Sequence, residues 1–525
     1  MHSGNTGYKV LTTLAKAMLL SGLLLSGAQA EDLNGPLVQI KSGLIRGVNE
    51  LGVRAFKGIP YAAPPIKENR WRRPQPVQPW SGVRVTSQFG PACAQSAQED
   101  PNTRLPAPSI SEDCLTLNVW APSSPIGAPD APKPVMVWLH GGDYRSGVVS
   151  YPLSNGAQLA NQGVVVVTLN YRLGYFGFFD HPALVREDVT TPANFGLLDQ
   201  IEALKWVQEN ISAFGGDPGN VTLAGDDAGA VSAYYLMASP KALGLFHKVI
   251  AQSGDPWLKL EDRNQAKKSG MKAATQAGVA ADADAAQLRA IPAGTLIKLN
   301  NELPPDAAFG PIIGDEAAPY TLLDAVDRKL IAPVPLLTGV NSYEVSIAPQ
   351  LGLTQETILA PLGDQKDTAR ALYPKDWSDT QFAEKVFSDM RYNAPNRWLA
   401  LEQSNRAAAW FYYFNYAPQY LREQFSGAPH GWHLPFTFGT YSLIPEMYAN
   451  FQPQDITMAQ RFQRYLVNFM RSASPSDPTL PNWPAYNAQN QIMMVLGDAA
   501  EPMAGLFRQR IEFFTTLYRN NNKKY

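Results

Sequence analysis

Residues Phe214–Ala230 read FGGDPGNVTLAGDDAGA, and the reading of the fold turns on this stretch. Val221–Ala224 (VTLA) is a short apolar run with β-branched residues, the composition of a buried strand. It passes directly into Gly225-Asp226-Asp227-Ala228-Gly229 and then into a helix beginning near Ala230. Strand, G-x-x-x-G and helix in succession give the geometry of a nucleophile elbow, a strained turn whose central side chain stands above the end of a sheet. The two glycines let strand and helix approach closely. The central residue here is Asp227, and an Asp tolerates positive φ better than most side chains.

Working outward, short β-branched runs alternate with helical patterns, which predicts a mainly parallel sheet covered by helices. The expected strands are Val135–Leu139, Val164–Leu169, Val221–Ala224, Lys248–Gln252, Val334–Gly339 and Trp410–Asn415. Helical periodicity marks Leu198–Glu209, where Ile201, Leu204 and Trp206 fall on or near one face, then Met458–Met470 and a C-terminal segment. Pro-rich stretches (58–80 and 92–132) read as loops, and an Ala-rich helical insert spans about 264–300. Insertions of this kind cap the end of a parallel sheet where ligands bind. No repeat or flexible linker appears, so residues 31–525 read as one catalytic domain.

The chain has 525 residues, 45% hydrophobic and 17% charged, ample for a large core. Residues 1–30 have the layout of a secretory signal: Lys9 and Lys16, the apolar run Ala17–Gly27, then Ala28-Gln29-Ala30. That run is too short for a membrane span. Its removal would leave Glu31 as the mature N-terminus and 42 bases against 46 acids. Such a balance gives no reason to expect nucleic acid or an anionic membrane as partner. An exported protein, periplasmic or extracellular, is the expectation. The only cysteines, Cys93 and Cys114, read as one disulfide in that setting, with two buried free thiols as the alternative. Closure of a loop of that size stabilises a fold by about 3 kcal/mol in the chain-entropy model.

The elbow and several other blocks together resemble the type-B carboxylesterases, the family of the cholinesterases, whose elbow reads G-E-S-A-G. The matching blocks are Phe56–Ala62 (FKGIPYA), Ser111–Leu115 (SEDCL), Asn170–Gly174 (NYRLG), Asn194–Gln200 (NFGLLDQ), Gln252-Ser253-Gly254 and Trp483-Pro484. The resemblance implies an α/β-hydrolase fold, a large mainly parallel central sheet flanked by helices, and a Cys93–Cys114 disulfide. It also implies a small-molecule ester as substrate and no cofactor. Asp227 then stands where the family has its nucleophilic serine.

By the same resemblance the triad acid is Glu344, in Gly339–Glu344 (GVNSYE), and the base is His430, in His430–Phe436 (HGWHLPF). His433 replaces a family glutamate, Asp226 replaces the elbow glutamate, and Ser253 supports the acid. The oxyanion hole would be the N–H groups of Gly142, Asp143 and Ala228, with Asp143 where relatives usually carry glycine. A charge about 4 Å from a developing oxyanion costs roughly 4 kcal/mol at an effective dielectric of 20. That matches the ~2.7–4 kcal/mol that one hole donor supplies. An inward Asp143 carboxylate would therefore handicap acyl transfer, and an outward one would be harmless. The sequence leaves both open.

An aspartate cannot copy the serine, because its attack on an ester yields a mixed anhydride and expels an alkoxide. Three functions follow. The favoured one is a hydrolase of carboxylic esters or related bonds, with water held by Asp227 or Asp143 and His430. The second is an inactive, esterase-like binding protein. The third is an Asp-nucleophile hydrolase acting on alkyl halides or epoxides. The carboxylates and imidazoles would also suit a divalent ion, but the simpler reading makes Asp226 structural and expects no metal.

Overall fold

The β-branched runs form the centre of an eleven-stranded sheet. Its strands, in chain order, are β1 (Val48–Glu50), β2 (Val53–Pro60), β3 (Thr116–Pro122), β4 (Lys133–Leu139), β5 (Val165–Leu169) and β6 (Gly216–Asp226). They continue as β7 (Lys248–Gln252), β8 (Leu336–Asn341), β9 (Ala409–Phe414), β10 (Ile492–Leu496) and β11 (Ala500–Ala504). The computed structural model describes residues 34–96, 109–123, 131–304, 307 and 309–522, so the expected signal segment lies outside the described residues. Across the sheet the order is β11-β10-β9-β8-β7-β6-β4-β5-β3-β2-β1. The run from β5 to β10 is parallel, and the pairs at both edges are antiparallel. This is the expected α/β class, a mainly parallel sheet flanked by helices.

Period-two side-chain alternation gives the sheet two buried faces. Val135, Val137 and Leu139 of β4 point into the core shared with the helices Phe195–Asn210 and Ala228–Met237. Met136 and Trp138 point the other way, onto Phe462, Leu466 and Phe469 of the helix Pro453–Ser472. Because both faces are covered, the central strands are apolar throughout rather than alternating.

The expected strands are all present, Lys248–Gln252 with the expected bounds and the others with shifted ends. The expected start at Val334 moves to Leu336, because Pro335 has no N–H for the ladder, although its carbonyl accepts from Val249 N at 3.0 Å. The stretch 92–132, read as loop, contains β3, which pairs with β2 and β5. The insert resolves into the helices Arg263–Gln276, Ala285–Arg289 and Ala293–Asn301. Cys93 and Cys114 are joined, with Cα atoms 5.0 Å apart. Among the described residues no helix is long and apolar enough to cross a membrane.

Candidate active site

The parallel strands deliver their C-terminal ends to one rim, and the site is built there. Strand β6 ends at Asp226, Asp227 turns the chain, and Ala228 opens the following helix. Asp227 has φ 51° and ψ −118°, a conformation that costs an L-residue of order 1–3 kcal/mol. The flanking glycines are required sterically. A Cβ on Gly225 would lie 2.5 Å from the Gly229 backbone, and one on Gly229 would lie 2.0 Å from the Leu139 carbonyl oxygen. The turn is held by Asp227 N donating to Gln252 O and Val231 N donating to Asp227 O, each at 3.0 Å.

The Asp227 carboxylate sits on the very donors expected to form the oxyanion hole. Its Oδ2 accepts from Gly142 N at 2.9 Å and from Asp143 N at 3.1 Å. Both belong to the loop after β4, with φ of 109° at Gly142 and 53° at Asp143. Ala228, buried at the start of the helix, is the third expected donor. The other carboxylate oxygen, Oδ1, lies 3.9 Å from His430 Nε2.

Behind His430 the contacts are tight. His430 Nδ1 lies 2.6 Å from Glu344 Oε2, and Glu344 Oε1 accepts from Ser253 Oγ at 2.7 Å and from Asn341 N at 2.6 Å. Glu344 has no exposed surface, so its two oxygens are directed by these partners alone. Ser253 follows β7, Glu344 follows β8, and the His430 main-chain N–H is tied to Ser346 Oγ at 2.9 Å. The structure therefore brings together Asp227, Glu344, His430 and Ser253 from four separate parts of the chain.

The charges follow from this packing. Burial opposes protonation of His430, but Glu344, its hydrogen bond and the Asp227 charge outweigh it and raise the imidazole to about 9. At neutral pH His430 is thus an imidazolium between two carboxylates. Asp143, left open by the sequence, faces the cavity and lies 3.4 Å from Arg145 Nε. Burial and the Asp227 charge lift its carboxyl to about 7, against the pull of Arg145 and Arg391. His140, stacked on Tyr171 at 4.4 Å, is lowered to about 4 by burial and stays neutral.

Asp226 and His433, expected as supporting residues, meet each other: His433 Nε2 lies 3.0 Å from Asp226 Oδ1. His433 Nδ1 lies 3.1 Å from Asn341 Oδ1. Among the described residues no group of three or more His, Cys, Asp or Glu side chains is placed to hold a metal ion.

A cavity of about 980 Å³ opens over Asp227 and His430. Among the lining residues that sequence reasoning did not single out are Arg391 and Tyr392. They project from a π-helical turn, Asp389–Asn393, a rare element often found at functional sites. The segment DMRYN carries no motif or periodicity that could have revealed it. The insert contributes Asn300 and Asn301 to the same lining, as its capping role predicted.

Comparison with known proteins agrees with this fold. A profile described as "Carboxylesterase family" matches residues 34–382 and 374–514. The chain is 34% identical over 477 residues to a "Para-nitrobenzyl esterase" of Bacillus subtilis (strain 168), covering 88% of this chain and 94% of that one. It is 32% identical over 470 residues to a "Fumonisin B1 esterase" of Sphingopyxis macrogoltabida, covering 86% and 85% of the two chains. A solved PNB esterase superposes with a TM-score of 0.80 at 32% identity, covering 90% of this chain and 99% of the other. Profile, relatives and fold converge: the chain belongs to the carboxylesterase family and is a carboxylic-ester hydrolase of the α/β-hydrolase fold.

Proposed function

We propose that this protein is exported and hydrolyses small-molecule carboxylic esters with water delivered by His430, forming no acyl-serine. The observation that carries the reading is the unbroken series Ser253–Glu344–His430, which ends 3.9 Å from Asp227 within a cavity of about 980 Å³. A cavity of that size suits a small organic ligand. In the proposed cycle the ester carbonyl oxygen takes the Gly142 and Asp143 N–H groups, and the Asp227 carboxylate leaves them. A water held by Asp227 and His430 attacks the carbonyl carbon and passes its proton to Nε2 of the neutral imidazole. Charge developing on the carbonyl oxygen rests on the freed N–H groups. Collapse of the tetrahedral species returns the proton to the departing alkoxide, giving acid and alcohol.

Two features make this enzyme slow. The donors must be vacated at each turnover. In addition, an imidazole raised to about 9 leaves roughly one molecule in a hundred with the neutral base at pH 7. Export rests on the layout of residues 1–30, with 31–525 as the mature catalytic domain. The test is a panel of aryl and short-chain esters offered to the mature protein, with His430→Ala beside it. Turnover should be measurable and should vanish in the variant. Turnover that survives removes His430 from the mechanism, and a silent panel with a tightly bound partner favours the binding-protein alternative.

One observation favours a second reading. A carboxylate whose Oδ2 rests on two N–H groups, with Oδ1 toward the imidazole, is poised as a nucleophile toward an sp³ carbon. Oδ1 would displace a halide ion, or open an epoxide whose oxygen takes a proton from the His430 imidazolium, to form an aspartyl alkyl ester. Water activated by His430 would then attack Cγ, placing the new charge on an oxygen already in the hole, and cleavage of the Cγ–Oδ1 bond would release the alcohol with the proton returned by His430 and restore the carboxylate. Mass spectrometry of His430→Ala exposed to an alkyl halide or epoxide should trap an alkyl adduct on Asp227. For an ester turned over in oxygen-18 water, the label enters the acid by the first route. By the second route it enters the alcohol after repeated turnovers.

A further inference from the structure

The contact between Asp226 and His433 plays no part in the cycle above, yet it adjoins the site on both sides. Asp226 immediately precedes Asp227, and His433 lies three residues beyond His430. The side chains are 8% and 0% exposed. The amide of Asn341 links the pair to the rest of the site. Its Nδ2 donates to Pro429 O at 2.5 Å, which turns Oδ1 toward His433, while its main-chain N–H donates to Glu344. The contacts Asp227–His430–Glu344–Asn341–His433–Asp226 therefore close a ring around the elbow.

The ring fixes a proton by elimination. Asn341 Oδ1 can only accept, so His433 Nδ1 must carry hydrogen. The opposite nitrogen, Nε2, then faces Asp226 Oδ1 at 3.0 Å. The oxygen stands off the axis of a ring N–H, so this is a close approach rather than an aligned hydrogen bond. If Nε2 were bare and Asp226 ionised, two lone pairs would confront each other at 3.0 Å, with Nε2 buried and given no other partner. One further proton must lie within the contact, on the ring or on the carboxyl.

We infer that Asp226 and His433 jointly hold one proton between them, so that together they are electrically neutral and Asp227 alone carries the elbow's charge. Both are positioning residues. They pin the loop bearing His430 to the turn bearing Asp227, and they shield His430 from a second nearby anion. Without that proton, Asp226 would hold His430 still more firmly as imidazolium and would remove base from the reaction. The other titratable groups facing the pair or its partners are Asp227, Glu344, His430 and Tyr412.

The experiment is the titration of the His430 ring by NMR, which needs no turnover and so stands apart from the fate of the proposed reaction. A neutral pair makes the two truncations unequal. Asp226→Asn should leave the His430 midpoint where it is, whereas His433→Gln strands an ionised Asp226 and should raise it by roughly half a unit or more. The pH–rate profile of any ester turned over should move to higher pH in His433→Gln alone. The reverse pattern, with Asp226→Asn lowering the midpoint and His433→Gln leaving it unchanged, overturns the inference, as does no movement in either. Should His433→Gln fail to fold, a nitrogen-15 spectrum of the wild-type ring decides. A protonated or hydrogen-bonded Nε2 supports the shared proton, and a bare Nε2 ends it.

Discussion

His430 and His433 sit three residues apart, and their carboxylate neighbours at the elbow, Asp227 and Asp226, are adjacent in sequence. The two pairs nonetheless differ. His430 is backed by a charged acceptor at 2.6 Å, keeps 10% of its surface toward the cavity and stops 3.9 Å short of Asp227. His433 is backed by a neutral amide, has no exposed surface and touches Asp226 at 3.0 Å. The looser pair has room for a reactant between imidazole and carboxylate, and the closed pair has none. The same residue types serve as machinery in one place and as framework in the other, and what separates them is the nature of the group behind each imidazole.

The largest effect should come from converting the looser pair into an ordinary esterase pair. Asp227→Ser empties the Gly142 and Asp143 donors and removes one of the anions that hold His430 charged. Ester turnover should rise on the order of 10³-fold, and a fluorophosphonate should label the new serine. No gain would mean that something besides residue 227 limits the site. Next is His430→Ala, which should reduce wild-type turnover on the order of 10²-fold or more. His433→Gln, by contrast, should slow neutral-pH turnover only through the shift in the profile described above.

Smaller effects appear in stability. His430 is raised in the folded protein from 6.5 to about 9. Its contribution is therefore full below about pH 6.5 and is lost as pH rises through 9, about 3 kcal/mol at most. Between pH 6 and 10, Glu344→Gln should be most destabilising at the acidic end. The deficit should shrink toward the alkaline end, leaving only the loss of the bonds from Ser253 and Asn341. A deficit constant across that range would break the link between Glu344 and the His430 charge. The smallest change belongs to Asp143, raised to about 7 but with 37% of its side chain exposed, so that solvent screens most of the effect. A raised carboxyl favours the folded state at low pH, and that contribution fades as pH climbs through 7. Asp143→Asn should therefore leave Tm unchanged near pH 4 and raise it slightly at pH 8, as thermal melts at the two pH values would record.

How much of this was legible in the sequence depended on whether the signal was local. The elbow was readable because strand, two glycines and helix fall within seventeen residues, and the glycines have a steric reason to be there. The central strands were readable because burial on both faces makes them apolar without interruption. Strand β3 was hidden by Pro-rich flanks, and the β10–β11 hairpin at the edge was not anticipated from IMMVL and AEPMA. Resemblance supplied Glu344 and His430 as candidates, but not the occupation of the hole, which depends on one side-chain rotation at Asp227. The direction of Asp143 is likewise a matter of rotamer and of Arg145, two residues on. The Asn341 link joins groups 92 residues apart along the chain, and no window of sequence contains it.

The seat filled by Asp227 Oδ2 has a pharmacological consequence. Boronates and trifluoromethyl ketones inhibit serine esterases by adding to the hydroxyl and lodging an anionic oxygen on the backbone N–H groups. This protein offers such compounds no hydroxyl at the elbow to add to, and a tethered carboxylate competes for the N–H groups on which their oxygen would rest. It should pass untouched through treatments that silence its relatives.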